Sequence, residues 1–373
     1  MAKESNLKNR IQIKLDLIIL ELQNHGGVSV YWFELIKRMI VDPDYFVKAI
    51  FYERKSNYFY FKILELFNFS GSTFITRKYT FRFVFFRFIP SVSFSKKIQI
   101  FHSSYLSSLI SRSNFNVLTI HDLGHERGIT QNGIKRFIHV FFKRIALKSS
   151  NGIICVSEFT KNELLYYYPF CINKNIKVIY HGVDECFKPL KEGFSPLLKQ
   201  KYILYVGTRF GYKNFEKSVI VTKLLNNYKL VFVGGGKLTK AETSFLSLHL
   251  RDKFIHLHNV ETSELNNYYN YAHCLLYLSN YEGFGMPIVE AMKSGCPFVT
   301  YNNASIPEIS KEGGVILSPD LEIDEIVKNV LSLEDLTYRN KVILNGIAVA
   351  NNYSWDKCFQ ETKEFHKVIL FKN

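Results

Sequence analysis

The stretch Ser279-Asn-Tyr-Glu282-Gly283-Phe284-Gly285-Met286-Pro287-Ile288-Val289-Glu290 constrains this chain more than any other. It follows a run, Cys274–Leu278, that reads as a buried strand, and it leads into a helix that Pro287 can open. Proline suits a first helical turn because its missing N–H would have no partner there and its φ is already set. Gly295 followed by Pro297 stops the helix after two to three turns. The glycines of the loop let a ligand approach the backbone closely. The N–H groups and positive dipole end of the helix then favour an anion. Glu282 and Glu290 flank this anion site in an E-x7-E spacing. Taken alone, such a pair is equally a cap and an ordinary first-turn acid. Around a glycine loop and a helix start, it suits a phosphate-bearing ligand whose hydroxyls need acceptors.

A chain of 373 residues, 47% of them apolar, is long enough for two α/β domains and too apolar to be disordered. No apolar run reaches the length of a membrane span: Leu15–Leu22 carries Asp16 and Glu21, and Phe81–Ile89 is broken by Arg82 and Arg87. The N-terminal residues do not read as a signal peptide. The six cysteines (155, 171, 186, 274, 296 and 358) lie far apart with no C-x-x-C pair, which suits reduced thiols in a cytoplasm. The net charge of +15 is uneven. Residues 1–190 hold 27 Lys/Arg against 14 Asp/Glu, and residues 191–373 hold 21 against 19. A basic half beside a neutral half implies that the first faces an acidic surface. Within it, residues 54–97 interleave Phe and Tyr with Arg54, Lys55, Lys62, Arg77, Lys78, Arg82, Arg87, Lys96 and Lys97. That pattern fits either core with a basic edge or a patch on an anionic membrane. Single-stranded nucleic acid also attracts rings and cations, but no RNP-like or OB-like pattern supports it.

In chain order, Ile11–Leu22 reads as the first central strand of a parallel sheet, ending at Gly26-Gly27 before a helix through Tyr31–Ile36. Asp42-Pro-Asp44 looks like a metal-binding D-x-D but sits in a surface turn, and no His/Cys cluster has ligand spacing. The strand at Val117–Ile120 ends in His121, the end of a parallel strand where open α/β sheets put function. Ile153–Thr160 reads as strand, cap at Ser157 and helix. Tyr202–Gly207 is a buried strand whose exit carries Arg209 and Lys213.

Glu-Gly-Phe-Gly-Met-Pro-Ile-Val-Glu-Ala-Met resembles the donor-sugar motif of retaining GT-B glycosyltransferases, the glycosyl transferases group 1 family. Gly26-Gly27-Val-Ser-x-Tyr-Trp, Thr-Ile-His121-Asp, Val178–Asp184, Gly-Tyr-Lys213-Asn and Ser305-Ile-Pro-Glu308 resemble further family segments, over about residues 24–365. The resemblance implies an α/β GT-B fold: two Rossmann-like doubly wound domains facing a central cleft, with a C-terminal helix crossing back to the first. The domains would be 1–183 on the acceptor side, 184–352 for the nucleotide sugar, and 353–373 as the returning helix.

The resemblance also implies site roles. His121, Glu282, Lys213 and Arg209 would be catalytic. Gly26, Gly27, Gly207, Gly283, Phe284, Gly285, Met286, Pro287, Ile288 and Glu290 would bind the donor. Arg209 departs from the family pattern, in which the Arg follows the glycine directly; here Thr208 intervenes. The implied activity is metal-independent, cofactor-free transfer of a hexose, with retention, from a GDP-mannose or dTDP-rhamnose type of donor. The acceptor would be a glycan, lipid-linked, in O-antigen-like surface polysaccharide synthesis. Expected partners are thus a nucleotide sugar, that acceptor and an anionic membrane surface, with no nucleic acid, at the inner face of the plasma membrane. The alternatives are a non-catalytic membrane-associated subunit of an assembly complex and a nucleotide-sugar epimerase on the same fold.

Overall fold

The computed structural model describes residues 10–23, 26–53, 58–68, 72–78, 88, 91–92, 99–111, 113–130, 133–191, 198–209, 211–258 and 260–371. It divides into two compact units, Met1–Gly182 with Trp355–Asn373, and Val183–Ser354.

The first unit is built on seven parallel strands: β1 (Ile11–Asp16), β2 (Tyr45–Glu53), β3 (Thr73–Lys78), β4 (Gln99–Ser103), β5 (Asn114–Ile120), β6 (Gly152–Cys155) and β7 (Asn175–Val178). Their spatial order is β3-β2-β1-β4-β5-β6-β7. The order therefore reverses between β1 and β4, and open α/β sheets bind ligands beyond the carboxyl ends of strands at such a point. Helices α1 (Gly27–Val41) and α2 (Ile134–Ser149) belong to this unit. Ser91–Val92 pairs with Leu109–Ile110 in a small separate ribbon.

The first strand is shorter than the apolar run predicts. It stops at Asp16, and Ile19–Leu22 forms one helical turn. The cause is tertiary. Asp16 is buried and its carboxylate accepts the Ser103 hydroxyl at 2.9 Å and the Ser104 hydroxyl and N–H at 2.9 and 3.2 Å, with the Ser107 hydroxyl as well. Ile18 then turns to a helical φ of −60°, and the Leu20 N–H finds the Leu17 carbonyl at 3.1 Å. Leu17 to Leu20 remain buried, so the apolar pattern is satisfied by either conformation.

The second unit, Val183–Ser354, has β8 (Tyr202–Val206), β9 (Lys229–Val233), β10 (Phe254–Leu257), β11 (Cys274–Tyr277), β12 (Phe298–Tyr301) and β13 (Val315–Leu317). All pairs are parallel, in the order β10-β9-β8-β11-β12-β13. Here the reversal falls between β8 and β11. Strands such as Tyr-Ile-Leu-Tyr-Val and Cys-Leu-Leu-Tyr are almost wholly buried, as expected of parallel strands covered on both faces. Tyr205, Phe215, Phe232, Leu276 and Tyr301 share one core. Around it lie α3 (Lys240–Leu250), α4 (Thr262–Tyr271) and α5 (Met286–Ser294).

The C-terminal helix α6 (Trp355–Phe371) packs into the first unit. Lys363 reaches Asp42 at 2.8 Å and Asp44 at 2.9 Å, and Lys367 reaches Asp44 at 3.2 Å. The Asp42-Pro-Asp44 pair that looks like a metal motif is thus an anchor for this helix. Ile369 and Phe365 fill the space where Gly152 has no side chain.

Of the basic-aromatic stretch, Ile63, Phe67 and Phe88 are buried core. The side chains of Arg54, Lys55, Arg77, Lys78, Arg82, Arg87, Lys96 and Lys97 lie outside the described residues, and so does a membrane patch built on them. Among the described residues no helix is long and apolar enough to cross a membrane.

Removing the buried Ile369 side chain leaves a cavity against Gly152. Ile369→Ala is expected to cost about 2–5 kcal/mol, read from the midpoint of denaturant unfolding, while Phe371→Ala on the exposed end of the same helix changes it by under ~0.5 kcal/mol.

Candidate functional site

The two loops that leave β8 and β11, on either side of the reversal in the second unit, carry the charged groups. Lys213 stands in the single 3-10 turn Gly211–Lys213 that follows β8. Glu282 stands in the loop after β11. The two loops are fastened together by asparagines. Asn214 donates to the Leu278 carbonyl at 2.8 Å and to the Asn280 side chain at 2.9 Å, and the Asn280 N–H reaches the Tyr212 carbonyl at 2.8 Å. Asn214 holds a left-handed backbone (φ 50°), which its short polar side chain tolerates better than most.

So held, the Lys213 ammonium meets Glu282 Oε1 at 2.5 Å and the Tyr277 hydroxyl at 3.1 Å. Tyr277, the last residue of β11, donates to the same carboxylate oxygen at 2.5 Å. The ammonium also lies over the Tyr212 and Tyr277 rings, 5.4 and 5.3 Å from their centroids. Burial and the Glu282 charge push the Tyr277 phenol well above its ordinary range, so it stays a donor. Ser305 braces the Glu282 loop by donating to the Glu282 carbonyl at 3.0 Å and the Phe284 carbonyl at 3.1 Å.

Just beyond, Gly285 turns the chain into α5 at φ 97°, a conformation that favours glycine, and Pro287 sits in the first turn. Met286, Pro287 and Ile288 form that turn, with the Ile288 N–H on the Gly285 carbonyl at 3.0 Å. Phe284 is buried, its ring edge-on to Tyr353 at 5.7 Å.

Glu290 is in a different environment from Glu282. It accepts the Tyr269 hydroxyl from α4 at 2.8 Å. Burial raises its pKa to about 7; the Tyr269 hydrogen bond lowers it, and the charge of Asp184 adds to the rise. One carboxylate is therefore paired with a cation, and the other is poised to ionise near neutrality.

Arg209 does not join Lys213. Its side chain is 4% exposed and its guanidinium is spent elsewhere. It donates to Glu242 of α3 at 2.6 Å and to the carbonyls of Gly234, Gly235, Gly236 and Lys237 at 2.8–3.2 Å. The three glycines run at φ 94°, 75° and 71°, turning their carbonyls onto it. Its guanidinium also lies about 6 Å from the Phe215 and Phe232 rings. Arg209 thus knits the exits of β8 and β9, with Gly207 just before it at the end of β8.

In the first unit, Gly26 caps α1 and Gly27 begins it. His121 leaves the end of β5 with its ring 4.9 Å from Tyr31 and 5.4 Å from His181. Burial lowers its pKa to about 4, so the imidazole is neutral near pH 7. Behind it runs a buried chain of polar groups. Tyr31 OH meets Thr119 at 3.2 Å, Thr119 meets His102 at 2.9 Å, His102 meets His366 of α6 at 3.2 Å, and His366 meets Tyr45 at 2.9 Å.

Sequence reasoning missed Tyr277, Tyr269, Asn214 and this histidine chain. Tyr277 ends a parallel strand, the rule that singled out His121, so it was within reach. Tyr269 and His366 carry no local signal, because only tertiary packing supplies their partners.

Comparison with known proteins matches both units. Residues 189–348 match the family model "Glycosyl transferases group 1", and residues 25–186 match "Glycosyltransferase Family 4". The chain belongs to the group 1 glycosyl transferases, with the GT-B fold of two Rossmann-like parallel-sheet domains. It is 29% identical over 240 residues to O-antigen chain mannosyltransferase B of Escherichia coli, covering 60% of this chain and 62% of that protein. The chain thus spans under two thirds of that relative's length. Sucrose-phosphate synthase of Thermosynechococcus elongatus shares the fold at TM-score 0.72 and 15% identity, over 98% of this chain and all of that one. WaaG, a glycosyltransferase involved in lipopolysaccharide biosynthesis, shares it at TM-score 0.68 and 14% identity, over 96% of this chain and 99% of that one.

The raised pKa of Glu290 has a signed consequence. The folded protein keeps a proton that the unfolded chain releases above about 4.5, so this group's stabilisation is present at low pH and is lost as pH rises through about 7. Glu290→Gln keeps an acceptor for Tyr269 without the charge. Its unfolding temperature is expected to gain on the wild type between about pH 5 and pH 8, with no gain below. A difference constant across that range contradicts the assignment.

Proposed function

We propose that the chain is a metal-independent, retaining glycosyltransferase that moves a hexose from a nucleoside-diphosphate sugar to a glycan acceptor. The observation that carries this reading is the Lys213–Glu282–Tyr277 cluster at the β8/β11 reversal, beside the N-terminal end of α5. Charge develops on the leaving diphosphate as the bond from the sugar's anomeric carbon to oxygen breaks. A fixed ammonium and a helix N-terminus are suited to stabilise it without a divalent ion. Lys213 meets the diphosphate, exchanging part of its contact with Glu282. Glu282, so released, accepts hydroxyls of the sugar ring, and Glu290 accepts those of the ribose once ionised. The glycines Gly207, Gly283 and Gly285 leave room for the ligand against the backbone, with Phe284, Met286, Pro287 and Ile288 forming the turn that meets it. Arg209 is a positioning residue, holding the β8 and β9 exits. Within the first unit, neutral His121 is assigned a catalytic hydrogen-bonding role, and Gly26 and Gly27 at the start of α1 are assigned to donor binding. The acceptor hydroxyl attacks on the face from which the diphosphate departs, and its proton passes to the departing oxygen; configuration is retained.

A GDP-mannose or dTDP-rhamnose type of donor is favoured, and a lipid-linked acceptor in surface polysaccharide synthesis. The likeness to a protein named O-antigen chain mannosyltransferase supports a mannosyl donor and a role in surface polysaccharide synthesis. The basic first half, with 27 Lys/Arg against 14 Asp/Glu, supports work at an anionic surface, which we assign to the inner face of the plasma membrane.

A thermal-shift screen against GDP-, UDP- and dTDP-sugars tests the donor class, and stabilisation by none of them counts against the reading. With the donor found, Lys213→Ala is expected to lower turnover on the order of 10²-fold. Glu290→Ala is expected to weaken donor binding. Unchanged rates and affinity in both variants overturn the site assignment. Turnover is expected to survive excess EDTA, and a strict requirement for Mg²⁺ or Mn²⁺ removes the metal-free mechanism.

A further inference from the structure

The Glu282 carboxylate is loaded on one side. Both of its donors, the Lys213 ammonium and the Tyr277 hydroxyl, reach Oε1, each at 2.5 Å. Among the described residues no group donates to Oε2. A carboxylate offers about four acceptor positions over its two oxygens. Placing two donors on one oxygen leaves the other to a ligand, in a side chain that is 11% exposed.

The two donors differ in how firmly they are held. Tyr277 is 2% exposed and closes β11, where it pairs with Thr300 of β12. Its carbonyl accepts the Thr300 hydroxyl at 2.7 Å. A phenol with two side-chain torsions, at the end of a paired strand, is a fixed point. Lys213 stands instead on a single 3-10 turn, and its ammonium ends a flexible four-carbon stem. The Glu282 backbone is fixed as well, because its carbonyl accepts the Ser305 hydroxyl at 3.0 Å. What remains to be set is the direction of the Glu282 side chain, and the Tyr277 hydroxyl sets it.

We propose that Tyr277 is a positioning residue that fixes Glu282 so that Oε2 faces a hydroxyl of the transferred sugar. This role rests on the transferase reading above and deepens it. When Lys213 turns to the diphosphate, the Tyr277 hydroxyl stays on Oε1 and keeps the carboxylate aimed without its cation. A charged acceptor aimed in advance rejects a ring that lacks the matching hydroxyl, because an unpaired carboxylate oxygen in a closed site is costly. Tyr277 thereby takes part in the choice of sugar without touching it. The diphosphate half of the donor does not depend on the phenol hydroxyl, since Lys213 reaches that half after leaving Oε1.

The test compares two ligands by equilibrium titration of the full chain. One is the nucleotide sugar of the GDP, UDP and dTDP series that stabilises the wild type most, and the other is its own nucleoside diphosphate. Tyr277→Phe keeps the ring beside Lys213 and removes only the hydroxyl. It is expected to weaken the nucleotide sugar about tenfold and the nucleoside diphosphate less than about twofold. Glu282→Ala removes the group that Tyr277 positions, so adding Tyr277→Phe to it is expected to bring no further loss. Donors lacking one ring hydroxyl in turn give a readout on the wild type itself, which serves where Tyr277→Phe does not fold. One of them is expected to bind about tenfold more weakly than the parent sugar, and to lose nothing more in Tyr277→Phe. Equal losses for both ligands, unchanged affinity for the nucleotide sugar, or an added loss on top of Glu282→Ala overturns the role of Tyr277 and leaves the transferase reading standing. So does a wild type that binds every deoxy donor as tightly as the parent sugar. A wild type that binds the nucleoside diphosphate no better than Lys213→Ala does overturns the transferase reading, and this role falls with it.

Discussion

The second unit depends on one ammonium and one carboxylate held together beneath tyrosine rings. Two unit charges about 3 Å apart attract by roughly 5 kcal/mol at an effective dielectric of about 20, before the cost of leaving water is subtracted. For a pair this buried the subtraction is large, so Lys213–Glu282 contributes little net stability. Its value is positional. The pair is fixed where the strand order reverses, with Asn214 and Asn280 tying the loops and Tyr277 donating to the carboxylate oxygen. Under the proposed function a diphosphate, which carries more negative charge than a single carboxylate, competes with Glu282 for Lys213. Arg209 and Glu290 follow from the same frame. The first stabilises the neighbouring strand exits by binding three glycine carbonyls, and the second is left with a tyrosine in place of a cation.

The first unit solves the same topological problem with neutral groups around a single acid. Its reversal, between β1 and β4, is closed by Asp16 and the hydroxyls of Ser103 and Ser104. Burial holds His102, His121 and His366 below the ordinary imidazole range, so they are neutral near pH 7. Helix α6 completes the polar chain, because its His366 links His102 to Tyr45.

What the sequence made legible was the local punctuation. Gly285, Pro287 and Gly295 set the limits of α5 through their own backbone preferences, and Ser157 capped its helix by accepting the Thr160 N–H, both as predicted. The parallel order of strands and helices followed from short apolar runs with glycine exits. What stayed hidden depends on partners far along the chain. The apolar run Leu17–Leu22 satisfies strand and helix equally, and the choice is made by serines 87 and 88 residues beyond Asp16. Arg209, two residues after a glycine, looks like a phosphate ligand until the carbonyls of Gly234–Gly236 claim it.

The most direct measurement is a crystal structure of the protein with a bound nucleoside diphosphate. The account predicts the β-phosphate within hydrogen-bond reach of Lys213 Nζ and of the N–H groups opening α5, with the ribose hydroxyls on Glu290 and the Lys213–Glu282 contact lengthened. A nucleotide bound away from the β8/β11 reversal, or one that leaves the Lys213–Glu282 contact intact and makes no contact with Lys213, contradicts it.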